Sequence, residues 1–182
     1  MRIITHPNTF KDGARVIYCT SRNKDGSAGN KTIGSMFSRS PEEFDKVVAE
    51  LIEKASGEPF RVYSTVEARD VQKAIRLFKE RQLAADYRTN PEDFYFNSKS
   101  RWLSALANPK NAVEKFWLFD CDTPKETEAT KRMLAEDYTR EFTPYEYKTK
   151  NGVHIVTQPF HLTAEGFDGI VQKNASLLVA YS

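Results

Sequence analysis

Asp120 and Asp122 end a run of large apolar residues, Lys115-Phe-Trp-Leu-Phe-Asp-Cys-Asp-Thr123, and stand one residue apart. Strand side chains alternate between faces, so an extended backbone puts both carboxylates on one side. Two like charges held so close repel, and a divalent cation such as Mg or Mn between them keeps both ionised. A purely structural alternative is that Asp122 or Thr123 caps a following helix and Asp120 is a solvated strand end. His154 follows two residues after Gly152, on a segment able to pair beside the carboxylates. It reads either as a satisfied core histidine or as a participant in the site. Lys148 and Lys150 precede it and could meet phosphate oxygens as point charges, while Thr149 and Thr157 add hydroxyls.

These residues need a strand, a helix and a hairpin to hold them. In the carboxylate segment Phe116, Leu118, Asp120 and Asp122 share one side, and Trp117, Phe119 and Cys121 take the other. Apolar residues on both faces predict a central strand covered on two sides. Thr123-Pro-Lys-Glu126 is a capping box with proline at the first helical position, so a helix runs from Pro124 to about Tyr138. Phe142–Lys148 and Val153–Gln158 read as strands, and the Asn151-Gly152 pair between them is a strong hairpin signal.

Upstream, Arg15–Thr20 reads as a strand, and Ser21–Gly34 as a surface loop or hairpin tip with phosphate or nucleic-acid contact as its second reading. Ser40-Pro-Glu-Glu43 opens a helix to about Ala55, with Phe44, Val47, Val48, Leu51 and Ile52 on its apolar stripe. Phe60–Val66 supplies a strand. Ser64 and Glu67 have capping-box spacing for a second helix ending near Ala84, with Arg69, Lys73, Arg76, Lys79 and Arg81 on its polar flank. Phe94–Ser104 interleaves aromatic and basic residues, either a short strand and helical turn closing the core or a strip for stacking bases. A short helix around Glu165–Ile170 and a strand over Ser176–Tyr181 complete the reading. The expected fold is α+β: one domain over 1–182, with a strand, loop and helix over 1–58 and a palm-like core over 59–182. The core's element order fits an RNA-recognition-like (ferredoxin-like) palm, an antiparallel or mixed sheet with helices packed on it.

Composition narrows the classes. A chain of 182 residues buries a real core without disulfides. Its two cysteines, Cys19 and Cys121, lie in apolar runs, which fits reduced core thiols in a cytoplasmic protein. No apolar run is long enough to span a bilayer, and the first residues lack a secretory apolar region. The net charge of +2 leaves affinity for polyanions to local patches.

Phe119-Asp120-Cys-Asp122, followed by Asn151-Gly-Val-His154-Ile-Val, resembles the archaeo-eukaryotic primase and primase-polymerase superfamily. That family carries an apolar-DxD/E motif on a palm strand, a small-x-His motif in a glycine-containing hairpin and an apolar-Asp third motif. Phe167-Asp168 stands where the third would fall, at a shorter interval than the family shows. The likeness covers the second half of the chain only. It implies divalent ions on Asp120, Asp122 and Asp168, and His154 on the phosphates of a nucleoside triphosphate with Lys148 or Lys150 assisting. The implied partners are that triphosphate and single-stranded nucleic acid or a primer-template, and the implied reaction is nucleotidyl transfer in replication. A haloacid-dehalogenase phosphatase, a two-histidine phosphoesterase and a rolling-circle nuclease each lack required motifs here. The rival of another class is a non-catalytic nucleic-acid or protein-binding module on the same palm.

Overall fold

The computed structural model describes residues 2–3, 13–26, 29–55, 57–86, 91–138, 143–149, 151–162 and 170–182. The strands are β1 (Arg2–Ile3), β2 (Arg15–Ser21), β3 (Lys31–Ser38), β4 (Arg61–Thr65), β5 (Trp117–Cys121), β6 (Tyr145–Lys148), β7 (Val153–Thr157), β8 (Val171–Lys173) and β9 (Ser176–Tyr181). The helices are α1 (Pro41–Ala55), α2 (Val71–Asp86), α3 (Glu92–Phe96), α4 (Ser98–Leu106) and α5 (Pro124–Asp137). The α+β class is as the sequence implies. The strands form two sheets, one of five strands in the order β1-β9-β4-β2-β3 and one of four in the order β6-β7-β5-β8. All the pairings in both are antiparallel.

Alternation along the strands decides which element covers which face. In the first sheet Ile17, Cys19, Val62 and Val179 meet Phe44, Val47, Val48 and Leu51 of α1. In the second, Phe119, Cys121 and Ile155 meet Met133 and Leu134 of α5. The inner faces meet each other through Leu118, Tyr147, Val156, Leu177 and Leu178. Burial of side chains of this size contributes about 1.5–3 kcal/mol each relative to exposure, so these three contacts dominate the cohesion of the fold. The inner face of the first sheet is also covered at one end by Ala74 and Leu106 of α2 and α4, which pack on Ala14 and Val16.

Four expectations change. The single sheet becomes two, because β4 pairs with β2 and β9 instead of β5. Residues 31–34, expected in a loop, belong to β3, and Ser21 pairs with Lys31 across a hairpin. The second helix does not open at Ser64, which lies in β4; it starts at Val71, where Asp70 Oδ1 accepts the backbone N–H groups of Gln72 and Lys73. Phe94–Ser104 is helical, and Phe94 and Trp102 pack on Phe78. The segment around Glu165 lies outside the described residues up to position 169.

Displacing the helix start buries Glu67 and Arg69. Arg69 Nη2 pairs with Glu67 Oε2 at 3.2 Å, and Arg15 Nη1 donates to the carbonyls of Thr65 (2.8 Å) and Val66. Arg69 is therefore a core ion-pair member and leaves the polar flank of α2. Burial lowers the Arg15 guanidinium to about 10. Cys19 and Cys121 are free and buried, and no helix among the described residues is long and apolar enough to cross a membrane.

Candidate functional site

The central strand of the second sheet delivers Asp120 to the gap between the sheets. Its inner-face neighbours Phe116 and Leu118 are buried, whereas Asp120 is partly open and Asp122 fully so. The chain leaves the strand there and enters α5, whose capping box is complete: Thr123 Oγ1 accepts from Glu126 N, and Glu126 Oε2 accepts from Thr123 N. Thr123 is the cap, so Asp122 is not consumed by it.

The strands on either side of β5 each bring one polar group to Asp120. His154 is its Cα partner across β7, and His154 Nε2 lies 3.1 Å from Asp120 Oδ1. Gln172 of β8 donates through Nε2 to Asp120 Oδ2 at 3.2 Å. His154 is 7% exposed, and its buried Nδ1 has no hydrogen-bond partner among the described residues. Nε2 is thus the ring nitrogen turned to Asp120, and Nδ1 is sealed away on the other side of the ring.

Gly152 fixes the hairpin against this strand. A Cβ there would lie 1.9 Å from the Cys121 carbonyl oxygen and 2.9 Å from Asp122 Cα, so only glycine lets the β6–β7 turn sit on the backbone between the two acids. Thr149 closes the turn: its N–H donates to Gly152 O at 2.9 Å and its Oγ1 accepts from Gly152 N at 3.0 Å. The Gly-x-His spacing therefore has a geometric origin. Glycine permits the close approach, and two residues later the alternation turns His154 onto the Asp120 face.

Asp120, Asp122 and His154 line a cleft of about 800 Å³. Thr149, Asn151 and Gln172 complete the wall on the side of the second sheet, and Tyr18, Arg22, Arg61 and Tyr63 of the first sheet and its hairpin form the opposite wall. Arg61 makes a bidentate pair with Asp25, through Nε to Oδ2 at 2.7 Å and Nη2 to Oδ1 at 2.6 Å. Arg22 donates to the Tyr63 hydroxyl at 3.3 Å and pairs with no carboxylate among the described residues. The cleft thus opposes two acids to two guanidinium groups.

Several expected contributors lie elsewhere. Lys148 points away, because its neighbour Tyr147 fills the inner face; it lines a separate depression with Thr123, Thr127 and Glu128 beside α5. Thr157 is buried on the α5 side of β7 by the same alternation. Lys150 and Asp168 lie outside the described residues. The aromatic strip at Phe94–Ser104 does not line the cleft.

Arg22, Arg61, Tyr63 and Gln172 are functional candidates that the sequence reading passed over. Only Arg22 carried a signal, as a member of the basic Ser21–Gly34 segment; the others reach the site through pairings between distant strands. Among the described residues no three His, Cys, Asp or Glu side chains converge. Two carboxylates are nonetheless a fitting donor set for Mg or Mn, since such ions bind through one or two carboxylates together with substrate phosphates and water. No family model matches the chain, and no match was found among curated proteins or solved structures.

Proposed function

We propose that this protein catalyses metal-dependent nucleotidyl transfer of the primase-polymerase type, with the second sheet and α5 serving as a ferredoxin-like palm. The observation that carries the reading is Asp120 flanked by His154 and Gln172 at the mouth of a polar cleft whose far wall presents Arg22 and Arg61. Asp120 and Asp122 are the residues to hold Mg or Mn, with Asp168 as the third acid that the family resemblance implies. The bound ion would neutralise phosphate charge and activate the attacking hydroxyl. His154 is set beside Asp120 through Nε2, and by the family resemblance it is the residue that meets the triphosphate. Gln172 fixes the Asp120 carboxylate plane, as outer hydrogen-bonding partners do for metal-binding carboxylates. Arg22 and Arg61 supply planar, permanently charged donors suited to a triphosphate. Phosphoryl transfer asks a protein for positioning and charge neutralisation, which these groups can provide without a covalent nucleophile. Two buried, free cysteines fit a reducing, cytoplasmic setting, and the replication role is what the family resemblance implies.

The test is a transfer assay with Mn, a nucleoside triphosphate and either a single-stranded template or a primed duplex. Formation or extension of an oligonucleotide by the wild type, abolished in Asp120→Asn, supports the reading. The rival reading is a non-catalytic binding module on the same scaffold. That rival gives no product and no metal-dependent uptake of nucleotide.

A further inference from the structure

The cleft does not end at its far wall. Tyr18, Arg22 and Tyr63 also line a second groove of about 470 Å³, whose other walls are Thr20, Ser21, Asn30, Lys31 and Thr32. The three shared residues make a ridge with the acid cleft on one side and a hydroxyl-rich, basic furrow on the other. Tyr18 and Tyr63 are Cα partners on β2 and β4, and their rings stack with centroids 5.4 Å apart at 22°. Arg22 is held beside them by the Tyr63 hydroxyl. The furrow is built on paired strands: Thr20 faces Thr32 and Ser21 faces Lys31 across the β2–β3 hairpin. Its tip is pinned by Asn30 Oδ1 accepting from Asn23 N at 3.0 Å and by Ser21 Oγ donating to Gly29 O at 3.3 Å.

We infer that this furrow is a track for single-stranded nucleic acid, which enters over Lys31 and Arg22 and stacks a base against the Tyr18–Tyr63 pair before reaching the Asp120–His154 cleft. Stacked aromatics beside cations and hydroxyls are what a single strand requires: π-faces for bases of any sequence, and charge with hydrogen-bond donors for the backbone. A duplex offers no unstacked base to the ridge. The carboxylate of Glu58 pairs with Lys31 at 2.7 Å on an exposed surface, a contact weak enough for a phosphate to displace. The inference rests on the functional reading for the direction of the strand, but the track itself binds without turnover, so the two can fail separately.

The experiment is fluorescence anisotropy with a labelled single-stranded pyrimidine oligonucleotide of about ten nucleotides, without metal or nucleotide, at several salt concentrations. Wild type and the Asp120→Asn, Asp122→Asn double variant should bind alike. Tyr63→Ala should weaken binding about ten-fold or more, and Tyr63→Phe, which keeps the ring but loses the hydroxyl that holds Arg22, should weaken it clearly less than Tyr63→Ala. Lys31→Ala should lower the salt slope by about one, the signature of one lost phosphate contact. If Tyr63→Ala does not fold, judged by circular dichroism, the Lys31→Ala slope and an Arg22→Ala loss of affinity carry the test. Undetectable binding by the wild type, full affinity in Tyr63→Ala and Lys31→Ala, or equal affinity for a duplex overturns the track. Loss of binding in the double aspartate variant also overturns it, because the strand would then sit on the acids.

Discussion

His154 Nε2 and Asp120 Oδ1 are 3.1 Å apart, and the two residues face each other across a directly paired register of β5 and β7. Backbone pairing alone sets this contact, so any change that slips the β5–β7 register moves the imidazole off the carboxylate. Two neighbouring features serve the register: Leu118 opposite Val156 on the inner face, and Gly152 at the turn.

Gly152→Ala puts a methyl group into the Cys121 carbonyl. Relief requires the hairpin to lift, at about 1–3 kcal/mol by analogy with other overpacked sites. Urea unfolding should show that loss, and nucleotide uptake should fall with it. Unchanged stability would mean that the turn has room the geometry denies.

Gln172→Ala removes the donor on the far side of Asp120 without touching the acids. Loss of such an outer hydrogen bond lowers metal affinity about 10- to 100-fold. Manganese titration should register the drop while the unfolding midpoint stays near wild type.

Glu67→Ala should be among the costliest single changes in the chain. It strips the counter-charge from Arg69, whose Nε and Nη1 already have no hydrogen-bond partner among the described residues, beside a buried Arg15. Breaking a buried pair from one side costs about 3–5 kcal/mol, and denaturant unfolding would measure it. Replacing Glu67 and Arg69 together by apolar residues of similar volume should cost much less.

Burial pushes the Cys19 thiol up to about 11 from an ordinary value of 9.0. The folded state therefore keeps its proton where the unfolded state has lost it. By linkage, the contribution of Cys19 is constant below pH about 9 and stability falls as pH rises from there through about 11. Cys19→Ala should flatten that part of the stability profile. At neutral pH, thiol reagents should label either cysteine only at the rate of opening of the fold, since both are buried.

The parts of the site that follow from local chemistry were legible in the sequence. The alternation of Phe116–Asp122, the Thr123 capping box and the Asn151-Gly152 turn each depend on a few adjacent residues, and all three recur in the structure. The start of the second helix was misread because Ser64 and Glu67 have the spacing of a capping box, while strand pairing claims Ser64 and an ion pair claims Glu67. β3 escaped notice because its side chains are mostly half-exposed and its Gly34 interrupts the pattern; a Cβ there would come within 3.0 Å of Leu51 Cδ2. The opposing wall of Arg22, Arg61 and Tyr63 was out of reach for another reason. It meets Asp120 only because two sheets stack inner face to inner face, which no local pattern announces.

The central claim is that Asp120 and Asp122 hold a divalent ion that a nucleoside triphosphate shares. Calorimetric titration of a nucleoside triphosphate into the wild type and into the Asp120→Asn, Asp122→Asn variant, with and without Mn, tests it most directly. Strong uptake by the wild type in Mn, weak uptake without it, and no gain from Mn in the variant are the expected results. Equal uptake by both proteins in Mn, or uptake by the wild type that ignores the metal, would contradict it.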